Sequence, residues 1–207
     1  MSKPRLLLHI CCGVCGVYVL EKLKQDFEVT AYFYNPNIYP PEEYNQRLEA
    51  VRKICQNPPQ SPFLKGGGEG DLIEGKYEPE KWLAYLERES KSPCGPPFAK
   101  GELGGFDFRQ EPEGGRRCAL CFEQRLNEAG KYAKENGFEF FATTLTMGRN
   151  KKAAVINAIG QGIAAKYGLR FYEADWKKQD GALKADRLSK EKGIYHQHYC
   201  GCEFSQR

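Results

Sequence analysis

The sequence predicts an α/β fold with a mostly parallel sheet flanked by helices. Two observations carry that expectation. Short apolar runs alternate along the chain with stretches of helical period, and glycine or proline punctuates the boundaries between them. Sulfur-bearing turns also sit where strand passes to helix, which is where a parallel α/β sheet gathers its functional loops.

Taken in order, Leu6 to Cys11 reads as a buried strand and Val14 to Lys24 as a helix. Glu28 to Tyr34 is rich in β-branched and aromatic residues and is stopped by Asn35-Pro36-Asn37, which makes it a strand. Pro41 to Ile54 carries an early proline with Tyr44, Leu48, Val51 and Ile54 at helical spacing. Asp71 to Glu74 is a short strand, and Pro79 to Glu89 a helix that turns Trp82, Leu83 and Leu86 inward. Phe122 to Lys134 is helical, with Asn136-Gly137 as its stop, and Phe138 to Leu145 is the clearest buried strand. Lys152 to Tyr167 is a helix ending at Gly168, Leu169 to Ala174 a strand, and Leu183 to Lys192 a last helix before Gly193. A single domain over residues 1–207 follows, interrupted by Pro/Gly-rich insertions at about 56–70 and 92–115 that are expected to be mobile. Within them, Ser61 to Gly70 and Pro96 to Gly105 share a P-F-x-K-G pattern, and two copies are too few for a stacked repeat.

With 41% hydrophobic and 28% charged residues the composition is that of an ordinary soluble globular chain. Lys3 and Arg5 precede an apolar run, but His9, the thiols and the missing small-residue cleavage site argue against a signal peptide. No stretch is apolar for long enough to span a bilayer, so no membrane partner is expected. A net charge of +4 falls short of a strong nucleic-acid signature. The pairs Arg116-Arg117, Lys151-Lys152 and Lys177-Lys178 are either phosphate contacts or solvated surface.

Nine cysteines are too few for a disulfide scaffold, and an odd number cannot pair fully. A reducing cytoplasm is the expected location, where clustered thiols bind metal or do redox work. Cys11, Cys12 and Cys15 lie at the end of the first strand, where the following helix favours thiolates. Sulfur replaces the glycines of a phosphate-binding turn there, which argues against ATP chemistry. Cys118 and Cys121 open another helix. With Cys11 and Cys12 they make four thiolates, enough for a [4Fe–4S] cluster or a tetrahedral zinc. Adjacent cysteines at a strand end are unlike the short paired turns of zinc ribbons, which favours iron–sulfur. Cys200 and Cys202 form a C-x-C whose disulfide would close a small strained ring, so a reversible dithiol or a metal-binding pair fits better than a structural bridge. Cys15 is a further candidate ligand beside it. Cys55 and Cys94 carry no role. Thr143, Thr144 and Thr146 suit substrate or phosphate contacts, or helix capping.

Six motifs together resemble one family. They are H-x-C-C-x-x-C at His9 to Cys15, YNPNI-P-EEY at Tyr34 to Tyr44, and RC-x-x-CF-x-x-RL at Arg117 to Leu126. TTLT at Thr143 to Thr146, D-x-K-K-x-DG at Asp175 to Gly181 and Y-x-Q-x-YCGC at Tyr195 to Cys202 complete the set. The family is the cobalamin-independent epoxyqueuosine reductases of the QueH type, and the resemblance covers nearly the whole chain apart from the two insertions. It implies a fold like the adenine-nucleotide α-hydrolase-like (HUP) sheet and reduction of epoxyqueuosine to queuosine at the tRNA wobble position, the last step of queuosine biosynthesis. It further implies that Cys11, Cys12, Cys118 and Cys121 hold a [4Fe–4S] cluster. Cys200 and Cys202 would be the catalytic redox-active pair, joined by a reversible disulfide bond, or ligands of an additional mononuclear iron with Cys15 beside them. The partners implied are the tRNA and an electron donor that the residues do not identify. Tyr195, His196, His198 and Lys152 are the candidate proton donors. The chain departs from the pattern at His196, where members often carry arginine, and at MGRNKK after TTLT, where S-x-x-K is usual. Two alternatives of other kinds are a thioredoxin-like thiol–disulfide oxidoreductase, built on the Cys12-to-Cys15 turn, and a zinc-stabilised RNA-binding module.

Overall fold

A computed structural model of the chain describes residues 2–56, 72–92 and 105–206. Five parallel strands form one sheet in the order β3-β2-β1-β4-β5. They are β1 (Arg5–His9), β2 (Glu28–Phe33), β3 (Leu72–Glu74), β4 (Phe140–Thr143) and β5 (Arg170–Phe171). Six helices flank it among the described residues: α1 (Gly13–Leu23), α2 (Pro41–Gln56), α3 (Pro79–Ser90), α4 (Arg116–Glu135), α5 (Ala153–Tyr167) and α6 (Gly181–Glu191). The expected α/β class is thus what the chain adopts. None of these helices is long and apolar enough to cross a membrane.

The central strand shows why the apolar runs are unbroken rather than alternating. Leu6, Leu7 and Leu8 are all fully buried, since helices cover both faces of a parallel sheet. Contacts run α2–α1–α6 in one helical group and α3–α4–α5 in the other. Burying such a strand on both sides contributes roughly 1.5–3 kcal/mol per large aliphatic side chain.

Several local readings differ from the structure, and β5 is the shortest strand, two residues where Leu169 to Ala174 is expected. α4 starts at Arg116, six residues before the expected Phe122, because Gly114 and Gly115 turn the chain and the Glu111 carboxylate accepts the Arg116 N–H at 2.7 Å. Its first turn is charged and sulfurous, so no apolar spacing marks it. Leu83 is not inward: Trp82 and Leu86, one helical turn apart, take the core positions and Leu83 is exposed. β4 stops at Thr143 because Leu145–Met147 wind into a 3-10 turn. Of the two insertions, residues 57–70 and 93–104, with Cys94, lie outside the described residues, as does Asp71 of the expected short strand. The segment 105–115 is described, and Phe108 in it is buried against Trp82, Leu86, Leu120 and Cys121.

The strand order places the site. Sequence neighbours β1 and β2 pair on one side, while β1 and β4 pair on the other, so the loops leaving β1 and β4 diverge. The crevice at the carboxyl ends of such strands is where an open α/β sheet binds its ligand. Here its two lips are Ile10–Cys12 and Thr144–Met147.

Candidate functional site

At the root of that crevice His9 and Thr143 are register partners on β1 and β4. His9 is fully buried, with Nδ1 at 2.9 Å from Thr143 Oγ1 and Nε2 at 3.2 Å from the Tyr34 carbonyl. One neutral tautomer satisfies both contacts: Nε2–H donates to the carbonyl and Nδ1 accepts the threonine hydroxyl. Burial, seconded by the Arg125 charge, pushes the His9 pKa down to about 3, so the ring stays neutral. Thr143 Oγ1 in turn accepts the Leu145 N–H at 3.1 Å. His9 is therefore a pin between strand ends. Thr143→Val is expected to cost about 1–3 kcal/mol, because two buried polar atoms lose their partner; a lower urea midpoint at unchanged slope is the check.

Of the cysteines, Cys11 is the one whose charge reaches this pin. Cys11, Cys12, Cys15, Cys118, Cys121, Cys200 and Cys202 are all free thiols. Cys11 is held well below the usual thiol range by hydrogen bonds from Cys12 and then Cys15. Those two keep their protons: Cys12 is pushed up to about 12 and Cys15 well above its ordinary value, chiefly by the bond to Cys11. Cys118 and Cys121 stand three residues apart on one face of α4. Burial raises Cys118 to about 11 and also raises Cys121. The Gly114 N–H lies 3.2 Å from Cys118 Sγ. Cys202 is raised by burial to about 12.

Two cations bind the clusters together. Arg125 is 2% exposed, and its charge is favoured by the nearby Cys121 and Cys11 against the cost of burial. Its guanidinium lies 3.7 Å from Cys121 Sγ and also donates to Asn35 Oδ1, while Asn35 holds the Ile10 carbonyl at 2.9 Å. Lys151 is half-buried, and its charge is held by Cys200 and Cys11 against the cost of burial. The Lys177 ammonium fixes the Lys151 carbonyl at 2.6 Å. Sulfurs remote in sequence thus share one electrostatic neighbourhood, with Cys118 and Cys121 also sensing Cys200.

The remaining expected residues sort by geometry. Tyr195 donates to Glu43 at 2.6 Å, and His196 Nε2 lies 2.8 Å from Ser189 Oγ on α6, so the polar atoms of both are engaged with oxygen partners. His198 and Lys152 are exposed. Each basic pair turns one member inward: Arg117 donates to the Phe108 carbonyl, Lys151 faces the thiols and Lys177 holds Lys151. Thr144 Oγ1 is 3.8 Å from Cys11 Sγ, and the Trp176 indole donates to the Thr143 carbonyl at 2.9 Å. Gly181 is required by close approach, since a Cβ there would fall 1.9 Å from the Trp176 carbonyl oxygen. Reading by residue type missed Arg125 and Arg47. The first stands in the RC-x-x-CF-x-x-RL motif, but nothing in the pattern says that its charge turns inward.

As they stand, no three His, Cys, Asp or Glu side chains among the described residues are set to hold a metal ion. The donor set nevertheless fits a thiolate-ligated anionic group. Arg125 Nε is buried with no hydrogen-bond partner, and the neighbours that most stabilise both cations are thiols rather than carboxylates. A net negative iron–sulfur cluster would supply the missing counter-charge, and most of its ligands would have to lose protons to bind it.

A family model described as "Epoxyqueuosine reductase QueH" matches residues 6–99 and 104–207. Curated proteins bearing that name are similar over almost the whole chain. One from Staphylococcus epidermidis is 32% identical, over 99% of this chain and 77% of its own length. One from Acinetobacter baylyi is 34% identical, over 100% and 88%. One from Thermotoga maritima is 31% identical, over 97% and 89%.

Proposed function

The chain belongs to the epoxyqueuosine reductase QueH family, and on that premise we propose that it removes the epoxide oxygen of epoxyqueuosine at the tRNA wobble position. The products are queuosine and water. What supports this reading is that one cysteine of each group, Cys11, Cys121 and Cys200, acts on the charge of Arg125, and that Cys11 and Cys200 also act on Lys151. A thioredoxin-like turn would leave the second and third thiol groups idle, and a zinc module has no use for a reducible pair.

Cys11, Cys12, Cys118 and Cys121 would hold a [4Fe–4S] cluster, with Cys200 and Cys202 as the redox-active pair or as ligands, with Cys15, of an additional mononuclear iron. When bound, the cluster supplies electrons singly from a donor outside this chain. Deoxygenation needs two electrons and two protons, and the chain's own residues handle the protons. Lys151 Nζ bears a proton among Cys11, Cys15 and Cys200, the place where an oxygen leaving toward the thiols would need one. His9 and Thr143 keep the floor of the crevice neutral and fixed. The wobble nucleoside is unpaired in the anticodon loop, so it enters a pocket without melting a helix. Exposed Lys152 and Lys178 are placed to meet phosphates. One domain suffices for all of this, and clustered thiols suit the reducing cytoplasm.

The test is turnover. Protein purified without oxygen, assayed for iron and sulfide, is given tRNA carrying epoxyqueuosine and a chemical reductant. Nucleoside mass spectrometry is expected to show conversion to queuosine. Protein that carries iron and sulfide yet converts none would refute the reading, and colourless protein containing only zinc would favour the RNA-binding module.

A further inference from the structure

The C-terminal Cys200-Gly201-Cys202 turn does not shape itself; α2 holds it. Arg47 is 2% exposed in the middle of α2. Its Nε donates to Glu43 Oε1 at 2.7 Å, and its two terminal nitrogens donate to the Cys200 carbonyl at 3.0 Å and the Tyr199 carbonyl at 2.9 Å. The Tyr39 N–H takes the Gly201 carbonyl at 2.7 Å, so three successive carbonyls of the turn are tied. Glu43 is kept in place by the Tyr195 hydroxyl at 2.6 Å. The guanidinium lies directly under the glycine: a Cβ at Gly201 would fall 2.8–3.2 Å from its atoms, and Gly201 adopts φ +110°, a value that favours glycine.

We propose that Arg47 is a positioning residue that holds the Cys200–Cys202 pair in its dithiol form, which makes the pair harder to oxidise. This rests on the reading of that pair as redox-active. Closing a disulfide across one residue demands a narrow torsional geometry and therefore a rotated turn. The structure shows the dithiol with every turn carbonyl engaged. Contacts made better in one state than in the other shift the equilibrium by their difference. An arginine suits the task because its rigid planar fork aims separate nitrogens at two carbonyls and a carboxylate, whereas a lysine ammonium is a compact point charge on a flexible stem.

The experiment equilibrates the full chain, as purified without oxygen, in glutathione buffers of graded ratio. In the reaction followed, glutathione disulfide takes the electrons of Cys200 and Cys202, releasing two molecules of glutathione and leaving one intramolecular disulfide. Quenching by alkylation and digestion with trypsin isolates peptide 193–207, whose only cysteines are Cys200 and Cys202. In Arg47→Lys the equilibrium constant for disulfide formation is expected to rise about tenfold, equivalent to a potential lower by about 30 mV. The paired change Glu43→Gln with Arg47→Met leaves no buried unpaired charge and is expected to shift it the same way. If circular dichroism shows the paired variant unfolded, Arg47→Lys alone decides. Variants within twofold of the parent, or a shift toward the dithiol, would overturn the inference while leaving the redox pair intact. A parent that forms no disulfide at any ratio would instead overturn the redox reading and the inference together.

Discussion

Cys118→Ala is expected to lose bound iron and sulfide and all measurable turnover at the same time, with the fold retained. The side chain is partly exposed in the first turn of α4, and the Gly114 N–H beside it can turn to water. Removing one small thiol there costs little packing. Its expected role is different in kind: with Cys121 it contributes half of the proposed cluster ligands. The loss in activity should exceed the roughly 10–100-fold that removing an outer-shell partner of a metal site produces. Visible absorbance, iron content and queuosine formation are measured on the same sample, alongside far-ultraviolet circular dichroism. An active, iron-replete Cys118→Ala protein would end the ligand assignment.

Arg125→Leu should separate the metal-free from the loaded protein. Without the cluster, Arg125 is a buried cation that donates to Asn35 Oδ1 and lies beside Cys11, the thiol held well below its usual range, while its Nε lacks a partner. Replacing it alone with an apolar side chain strands the buried Asn35 Oδ1 and the Cys11 thiolate, which costs stability even without a cluster. The metal-free variant is therefore expected to unfold at a somewhat lower urea concentration than the parent. Loaded protein should lose more. Four deprotonated sulfurs facing Lys151 alone lose half their positive surroundings, and iron retention against a chelator should fall roughly 10–100-fold. The reduction potential of the bound cluster should also drop, because net charge and hydrogen bonds to sulfur set it. Equal retention in Arg125→Leu and the parent would show that the guanidinium serves the fold rather than the cluster.

Both outcomes turn on how far residue types reveal their surroundings. The strands and helices were legible because period and punctuation are local: Leu6-Leu7-Leu8 needs cover on both faces, and Pro41 opens a helix wherever it lies. The start of α4 was not, since Arg116-Arg117-Cys118 carries no apolar spacing, and the carboxylate that caps it belongs to a turn five residues earlier. Leu83 was misread because Trp82-Leu83-Ala84-Tyr85-Leu86 is an unbroken apolar run and only packing selects the pair that faces inward.

By itself, the sequence determined the α/β class, the grouping of cysteines and the motifs that place the chain in its family, because these depend on order and spacing. Only the tertiary structure decided which cations meet the sulfurs. Lys151 faces the thiols while Lys152 faces water, Arg125 turns inward without a carboxylate, and Arg47 reaches from α2 to a turn 153 residues away. The physical reason is direction: composition says that a charge exists, but the path of the backbone beneath it sets where that charge points and what it must neutralise.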